Sequence, residues 1–506
     1  MSDRPLAAVV LAAGLGTRMH SARAKVLHEL CGVPLVCYPL RALAALRAAR
    51  VVLVVGHQAD AVRTAGERVG LRDLRVALQL EQRGTGHAVR CAENALADFA
   101  GDVIILYGDV PLIRAATLQD LLATHRRTQA DVTLVAVRLP DPTGYGRIVR
   151  DARGTVSAIV EERDASLAQR AVDEVNAGIY VVRNELLFAL LRELRPNNAQ
   201  GELYLTDIVA LAARTGRRVE AVLVERPQEV AGINTRAELA GMAKQLQDEL
   251  VKKWMATGVT FEDPATAYLG PEVTIGRDTV VGPNVQLRGK TVIGAACRIE
   301  GTAYLIDTTL AERVLVKFGT VAEGAHVGAD AVLGPYARLR PGTKLAERVH
   351  LGNFVETKQA HLGAGTKANH LSYLGDCEIG PETNVGAGTI TCNYDGFRKH
   401  RTRIGARVQI GSDTQLVAPV SVGDDAYLGA GTTVTKDVPE GALAVTRVPV
   451  RFVLGWTARR RMLEAGGGKM AKKPPALAKP APSRSPRRGH IKVRARASAK
   501  ARRRRR

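Results

Sequence analysis

Cysteine is scarce in this 506-residue sequence and falls in no pattern: Cys31, Cys37, Cys91, Cys297, Cys377 and Cys392 are irregularly spaced, with no C-x-x-C pair. That excludes a disulfide framework and a zinc site, and reads as reduced thiols in a protein of the cytoplasm. Long apolar runs are absent too; none approaches the roughly 20 residues of a spanning helix. The apolar opening at 6–15 follows Asp3 and runs straight into a Gly-rich, Arg-bearing turn, so it reads as a first β-strand rather than a signal-peptide core. Neither the G-x-x-x-x-G-K-[ST] loop nor the dinucleotide fingerprint occurs. Acid is missing from one region only. Residues 469–506 hold sixteen Lys or Arg and no Asp or Glu, which leaves a net +6 of the total +22 for the rest of the chain.

At this length and 46% hydrophobic content, two or three domains can each bury a core. Up to about residue 230, short apolar strands (7–12, 50–56, 103–107, 132–138) alternate with amphipathic stretches, which predicts a mostly parallel sheet covered by helices, with ligands beyond the strands' carboxyl ends. Leu239, Met242, Leu246 and Leu250 then mark a charged helix. Beyond Tyr268 an aliphatic recurs every six residues: Leu269, Ile275, Val281, Leu287, Ile293, Ile299 and Leu305. It recurs again at Leu315, Val321, Val327, Leu333, Leu339, Leu345 and Leu351, and from Ile404 to Val434. A hexapeptide repeat predicts a parallel β-helix of about three repeats per coil. Breaks near 357–374 and 391–403 are expected as surface loops, where such solenoids bind. The boundaries follow: 1–235, an α/β Rossmann-like domain; 236–257, a linker helix; 258–456, the β-helix; 457–506, a basic tail too poor in apolar residues to order itself, with nucleic acid or an anionic membrane surface as possible polyanion partners.

After the first strand comes Leu11-Ala12-Ala13-Gly14-Leu-Gly16-Thr17-Arg18-Met19, with Lys25 six residues on. Small residues let backbone N–H groups approach a phosphate chain, and Arg18 and Lys25 supply cations for the charge of a transition state. This string resembles the sugar-nucleotide pyrophosphorylases. The resemblance implies that Gln79, Gly84 and Thr85 read a pyrimidine, that Tyr107, Gly108 and Asp109, which close the strand 103–107, bind nucleotide or sugar, and that Asp109 and Asn234 hold one Mg²⁺, a hard ion suited to few protein oxygens plus phosphates. It also implies that Gly146, Glu161 and Asn176 bind the sugar. Ala24 departs from the family's pattern, which has a proline there; the loop is expected to be looser, with Lys25 still in place.

In the β-helix region, Arg340, Lys358, His370, Tyr373, Asn384 and Asn393-Tyr394 stand in strings that resemble the bifunctional N-acetylglucosamine-1-phosphate uridylyltransferases/glucosamine-1-phosphate N-acetyltransferases of bacteria, from about residue 5 to Trp456. The family's fold is a nucleotidyltransferase domain followed by a left-handed parallel β-helix. The resemblance implies His370 as base, Arg340 and Lys358 on the sugar phosphate, and Tyr373 and Asn384 on the sugar. Ala387, Asn393, Tyr394, Ser412, Ala430 and Arg447 fall to acetyl-CoA. It further implies UTP as co-substrate, a homotrimer, and a product, UDP-N-acetylglucosamine, that feeds peptidoglycan and lipopolysaccharide precursors. Two other readings stay open at this stage: a single-activity nucleotidyltransferase with a scaffolding β-helix, and a polyanion binder acting through its tail.

Overall fold

The computed structural model describes residues 4–465. The polyanion-binding reading falls on residues 469–506, outside the described residues.

The N-terminal sheet runs in the order Val219–Val224, Val132–Arg138, Glu174–Arg183, Asp102–Tyr107, Leu6–Ala12, Arg50–Val55, Leu74–Leu78. Every residue of Leu6–Ala12 is buried, as a central strand covered on both faces requires. Its neighbours Arg50–Val55 and Asp102–Tyr107 run parallel to it, whereas Glu174–Arg183 is antiparallel to both of its own neighbours, so the sheet is mixed at that position. The carboxyl ends of Leu6–Ala12, Arg50–Val55 and Asp102–Tyr107 therefore open on one edge. A hairpin, Arg147–Arg150 with Val156–Val160, branches from the sheet at Val175.

The helix Arg236–Met255 opens on a capping box between Thr235 and Glu238. It is no free spacer: Met242, Leu246, Leu250 and Val251 belong to the same core as the first coils of the β-helix. Gln247 closes that core from below. Its amide accepts from Leu269 N at 2.7 Å and donates to Leu269 O at 2.7 Å, replacing the strand that the lowest coil lacks beneath it. Replacing Gln247 by Leu should leave two buried backbone groups unpaired and lower stability by on the order of 2–4 kcal/mol, read as a shifted urea midpoint.

Above the helix, short strands stack in parallel on three faces, the fold class read from the sequence. The first face pairs Val281, Ile299, Val316, Leu333, Leu351 and Ala368 upward. The second pairs Leu287, Leu305, Ala322, Leu339, Thr357 and Leu374. The third carries Ile293, Leu310, Val327, Leu345, Leu362 and Ile379. Two expectations fail here. Leu315 and Val321 are only half-buried, and their neighbours Val316 and Ala322 point inward instead, because one side of the coil shortens to five residues between Leu305 and Leu310 and resets the count. The break at 357–374 is no loop either: strands Glu356–Leu362, Lys367–His370 and Tyr373–Ile379 continue the stack. The same shortening, with left-handed backbone at Gln359, Leu371 and Asp376, hides the period. The break at 391–403 is a true excursion, bridged between Tyr394 and Lys399.

Residues from Val448 onward form a separate unit. In it Trp456–Glu464 is an α-helix, in a stretch the sequence reading assigned to a tail without structure. Its Thr-Ala-Arg-Arg-Arg-Met-Leu-Glu run holds good helix formers, with an Arg460–Glu464 pair one turn apart. No helix among the described residues is long and apolar enough to cross a membrane.

Candidate active sites

At the open edge of the sheet a cavity of about 350 Å³ is lined by Leu11, Ala12, Ala13, Gly14, Lys25, Gln79, Gly84, Thr85, Tyr107, Asp109 and Asn234, all expected from the sequence, and by Val26, Gln82, Ala88 and Glu202, which were not. The strand ends assemble it. Gly108 N donates to Leu11 O at 2.9 Å, joining the small-residue turn to the Asp109 turn, and Ile233 N donates to Asp109 O at 2.9 Å, bringing Asn234 alongside. Glu238, in the helix's capping box, accepts from Asn234 N at 2.6 Å, which fixes Asn234 at the helix entrance.

Lys25 Nζ contacts Asp109 Oδ2 and lies 3.1 Å from Asn234 Oδ1. The two expected metal ligands thus already converge on one cation, and a carboxylate plus an amide oxygen suit a hard divalent ion. The turn bearing Arg18 packs against the lysine's stem: Gly16 has φ +63°, and a Cβ there would sit 2.5 Å from Lys25 Cβ. Arg18 itself is exposed on the 3-10 turn Thr17–Met19 and is not part of the cavity lining. Arg236, missed in the sequence, anchors that turn by donating to Met19 O at 3.1 Å.

Gln79 is buried, its amide nitrogen 3.4 Å from Gly84 O and 3.2 Å from His87 Nδ1, which leaves its carbonyl oxygen as the acceptor for a base edge. Gly84 has φ +102°, and a Cβ would lie 2.6 Å from Leu203 O, so only glycine fits. Gly146, Glu161 and Asn176 come together beside Tyr107: Asn176 N donates to Gly146 O at 2.8 Å, and Gly146 faces the Glu161 carboxylate. Burial pushes the Glu161 carboxyl above its ordinary range, while Thr206 donates to it at 3.0 Å. Burial likewise raises Tyr107. Asn176 spends its amide internally, on Tyr180 Oη at 2.7 Å and Gly178 N at 3.0 Å.

On the β-helix, His370, Ala387, Ser412 and Ala430 each lie two residues past an inward residue of the first face (Ala368, Val385, Ile410, Leu428), so they stack in one column along one corner. Arg447 ends the column, donating to Ala430 O at 2.6 Å. Asn384 lies on the first face, beside Lys367 and Gln409. His370 is exposed, and its Nδ1 is 2.8 Å from Asn353 Oδ1, one coil below. With the amide oxygen accepting from Nδ1–H, Nε2 keeps its lone pair. Asn353 was invisible as a partner because it stands 17 residues upstream.

Across the second face a polar cluster forms. Arg340 pairs with Glu356 at 3.0 Å, Lys358 with Asp376 at 3.4 Å, and Asn393 donates to Asp376 and approaches Tyr373 Oη at 3.5 Å. Lys399, also missed, brings its ammonium from the excursion against Lys358; that cation and Arg340 hold Lys399 below the usual lysine range, partly offset by Asp376. A charged residue in a loop carries no signal until the coil count places it. Tyr394 and Phe397 stand exposed on the same excursion. His370 and the cation cluster occupy opposite edges of one face. An open depression of about 780 Å³ on the third face, between Lys344, His361, Glu378 and Arg403, holds neither set.

Comparison with known proteins agrees with this division. Residues 7–260 match the nucleotidyl transferase family, and residues 401–436 match the bacterial transferase hexapeptide (six repeats). The chain is 50% identical over 456 residues to the bifunctional protein GlmU of Pelobacter propionicus, covering 90% of this chain and 99% of that one. It is 52% identical over 489 residues to GlmU of Anaeromyxobacter sp. (96% and 99% covered) and 48% identical over 466 residues to GlmU of Mycolicibacterium gilvum (91% and 93% covered). A nucleotidyl transferase domain joined to a hexapeptide β-helix, together with identity of this extent over nearly the whole length, makes the chain a member of the bifunctional GlmU family.

Proposed function

We propose that the chain makes UDP-N-acetylglucosamine in two steps: acetyl transfer from acetyl-CoA to glucosamine 1-phosphate on the β-helix, then uridylyl transfer from UTP to N-acetylglucosamine 1-phosphate at the sheet edge, with release of pyrophosphate. The observation that carries it is the convergence of Asp109 and Asn234 on one cation in a cavity that Leu11–Gly14 also line.

For uridylyl transfer, Gln79 and Gly84 take the uracil and the turn 11–16 takes the triphosphate. Asp109 and Asn234 are the residues that would hold Mg²⁺, which when bound would neutralise phosphate charge. Lys25, released from the two oxygens, stabilises the phosphoryl oxygens, with Arg18 reaching in from the turn. The sugar phosphate is already ionised and needs no protein base. Glu161, Asn176 and Gly146 frame the sugar.

For acetyl transfer, His370 Nε2 takes a proton from the substrate amine, while Arg340, Lys358 and Lys399 hold the phosphate, with Tyr373 and Asn384 on the sugar. Acetyl-CoA lies along the column Ala387, Ser412, Ala430, whose small side chains leave room for the pantetheine arm, with Arg447 at its phosphates. Four coil steps at about 4.8 Å each separate His370 from Arg447.

The active form is a homotrimer. Supporting this, Phe318, Tyr336 and Phe354 form an exposed aromatic ladder at the His370 corner, edge-to-face and then stacked, with both centroid spacings 5.6 Å, and Leu371 extends it. Tyr336→Glu with Phe354→Glu should give a monomer by light scattering that keeps uridylyl transfer and loses acetyl transfer; an acetylating monomer would contradict the assembly. The overall reading is tested by incubating the chain with glucosamine 1-phosphate, acetyl-CoA, UTP and Mg²⁺. Thiol release and a UDP-sugar bearing an acetyl group are expected. Pyrophosphate without thiol would leave the β-helix as scaffold.

A further inference from the structure

Resting on the uridylyl-transfer reading, we propose that Gln58 is a positioning residue for that reaction: it clamps the loop that delivers Lys25 and does the work of the proline that position 24 lacks.

Lys25 reaches Asp109 and Asn234 from the short 3-10 helix Lys25–Leu27, whose N-terminal flank, Ala24, has φ −55° and ψ 138° and no side-chain cap. That φ lies within the range a proline ring enforces, so the loop has the backbone a proline would give it without the ring to hold it. Alanine instead leaves a buried N–H, and a buried donor needs a partner. Gln58 provides one. Its Oε1 accepts from Ala24 N at 2.9 Å, and its Nε2 donates to Ala22 O at 3.0 Å, bracketing Arg23 with two bonds from one side chain. Gln58 sits at φ 55° and ψ 41°, between strand Arg50–Val55 and helix Ala59–Glu67. A residue with a Cβ rarely adopts that conformation; here it aims the amide at the loop from a rigid strand end. His57 Nε2 stands 3.3 Å from the same Ala22 O. The clamp touches neither the cavity lining nor the β-helix column, so it acts only through where it puts Lys25.

The reciprocal test uses the full-length protein. Gln58→Ala should lower kcat for uridylyl transfer about 10- to 100-fold through misplacement of Lys25, with KM for N-acetylglucosamine 1-phosphate and the rate of acetyl transfer unchanged. Hydrogen exchange at the Ala24 amide should quicken in parallel. Ala24→Pro in the Gln58→Ala background removes the orphaned donor, places the ring where Oε1 had been and restores the backbone restraint, so kcat should return to within about threefold of the parent. Ala24→Pro alone displaces an exposed side chain and should behave like the parent. Parental kcat in Gln58→Ala, or a loss that Ala24→Pro does not rescue, would overturn the proposal. A parent protein with no uridylyl transfer would instead refute the underlying reading, while the exchange rate of Ala24 would still report on the clamp.

Discussion

Asp109→Ala should release thiol from acetyl-CoA at the parental rate and yet form pyrophosphate about 10³-fold more slowly. The carboxylate stands at the end of strand Asp102–Tyr107, held by the pairing of Gly108 with Leu11, and it shares a nearly dry contact with Lys25; both side chains are about 15% exposed or less. Removing it takes away one of two oxygens that converge on a cation and leaves the Lys25 ammonium facing Asn234 alone. Metal affinity and the orientation of the lysine fail together, so kcat falls even at saturating Mg²⁺. Asp109→Asn keeps the volume but not the charge and should be nearly as impaired. Because nothing in the second site depends on Asp109, N-acetylglucosamine 1-phosphate should accumulate. Parental pyrophosphate formation in either variant would reject the assignment.

His370→Ala should show the opposite split, with acetyl transfer reduced about 10²- to 10⁴-fold, the usual weight of a positioned base, and uridylyl transfer to added N-acetylglucosamine 1-phosphate untouched. The side chain is exposed at a coil corner and packs into no core, so the substitution should not unfold the β-helix. Asn353→Ala should cause a smaller loss of the same kind, since it frees the imidazole to turn without removing it. If His370→Ala instead raised KM for acetyl-CoA and spared kcat, the residue would be a binding contact and the base would lie elsewhere.

Much of this arrangement was legible in the sequence, and the reasons differ by region. In the N-terminal domain the small-residue turn after the first strand was readable from its composition, and the resemblance to the sugar-nucleotide pyrophosphorylases supplied the rest of the eleven lining residues expected in advance. In the β-helix the six-residue aliphatic period gave the fold but not every register. Each five-residue step moves the inward position by one, which is why Leu315 and Val321 were assigned to a core that Val316 and Ala322 fill. Contacts between coils depend on that count: Asn353 meets His370 across 17 residues, and Lys399 meets Lys358 only because the excursion folds back. Gln58 was hidden for another reason. The missing proline at position 24 was visible, but its compensation lies 34 residues away, on a different strand end.

The central claim is that the two oxygens now shared with the Lys25 ammonium form the metal site of uridylyl transfer. Crystals grown with UDP-N-acetylglucosamine and Mn²⁺, measured at the manganese absorption edge, test it most directly. The account predicts one anomalous peak bonded to Asp109 Oδ2 and Asn234 Oδ1, with Lys25 Nζ moved onto the phosphates. A peak elsewhere, or Lys25 still bridging Asp109 and Asn234 with product bound, would contradict it.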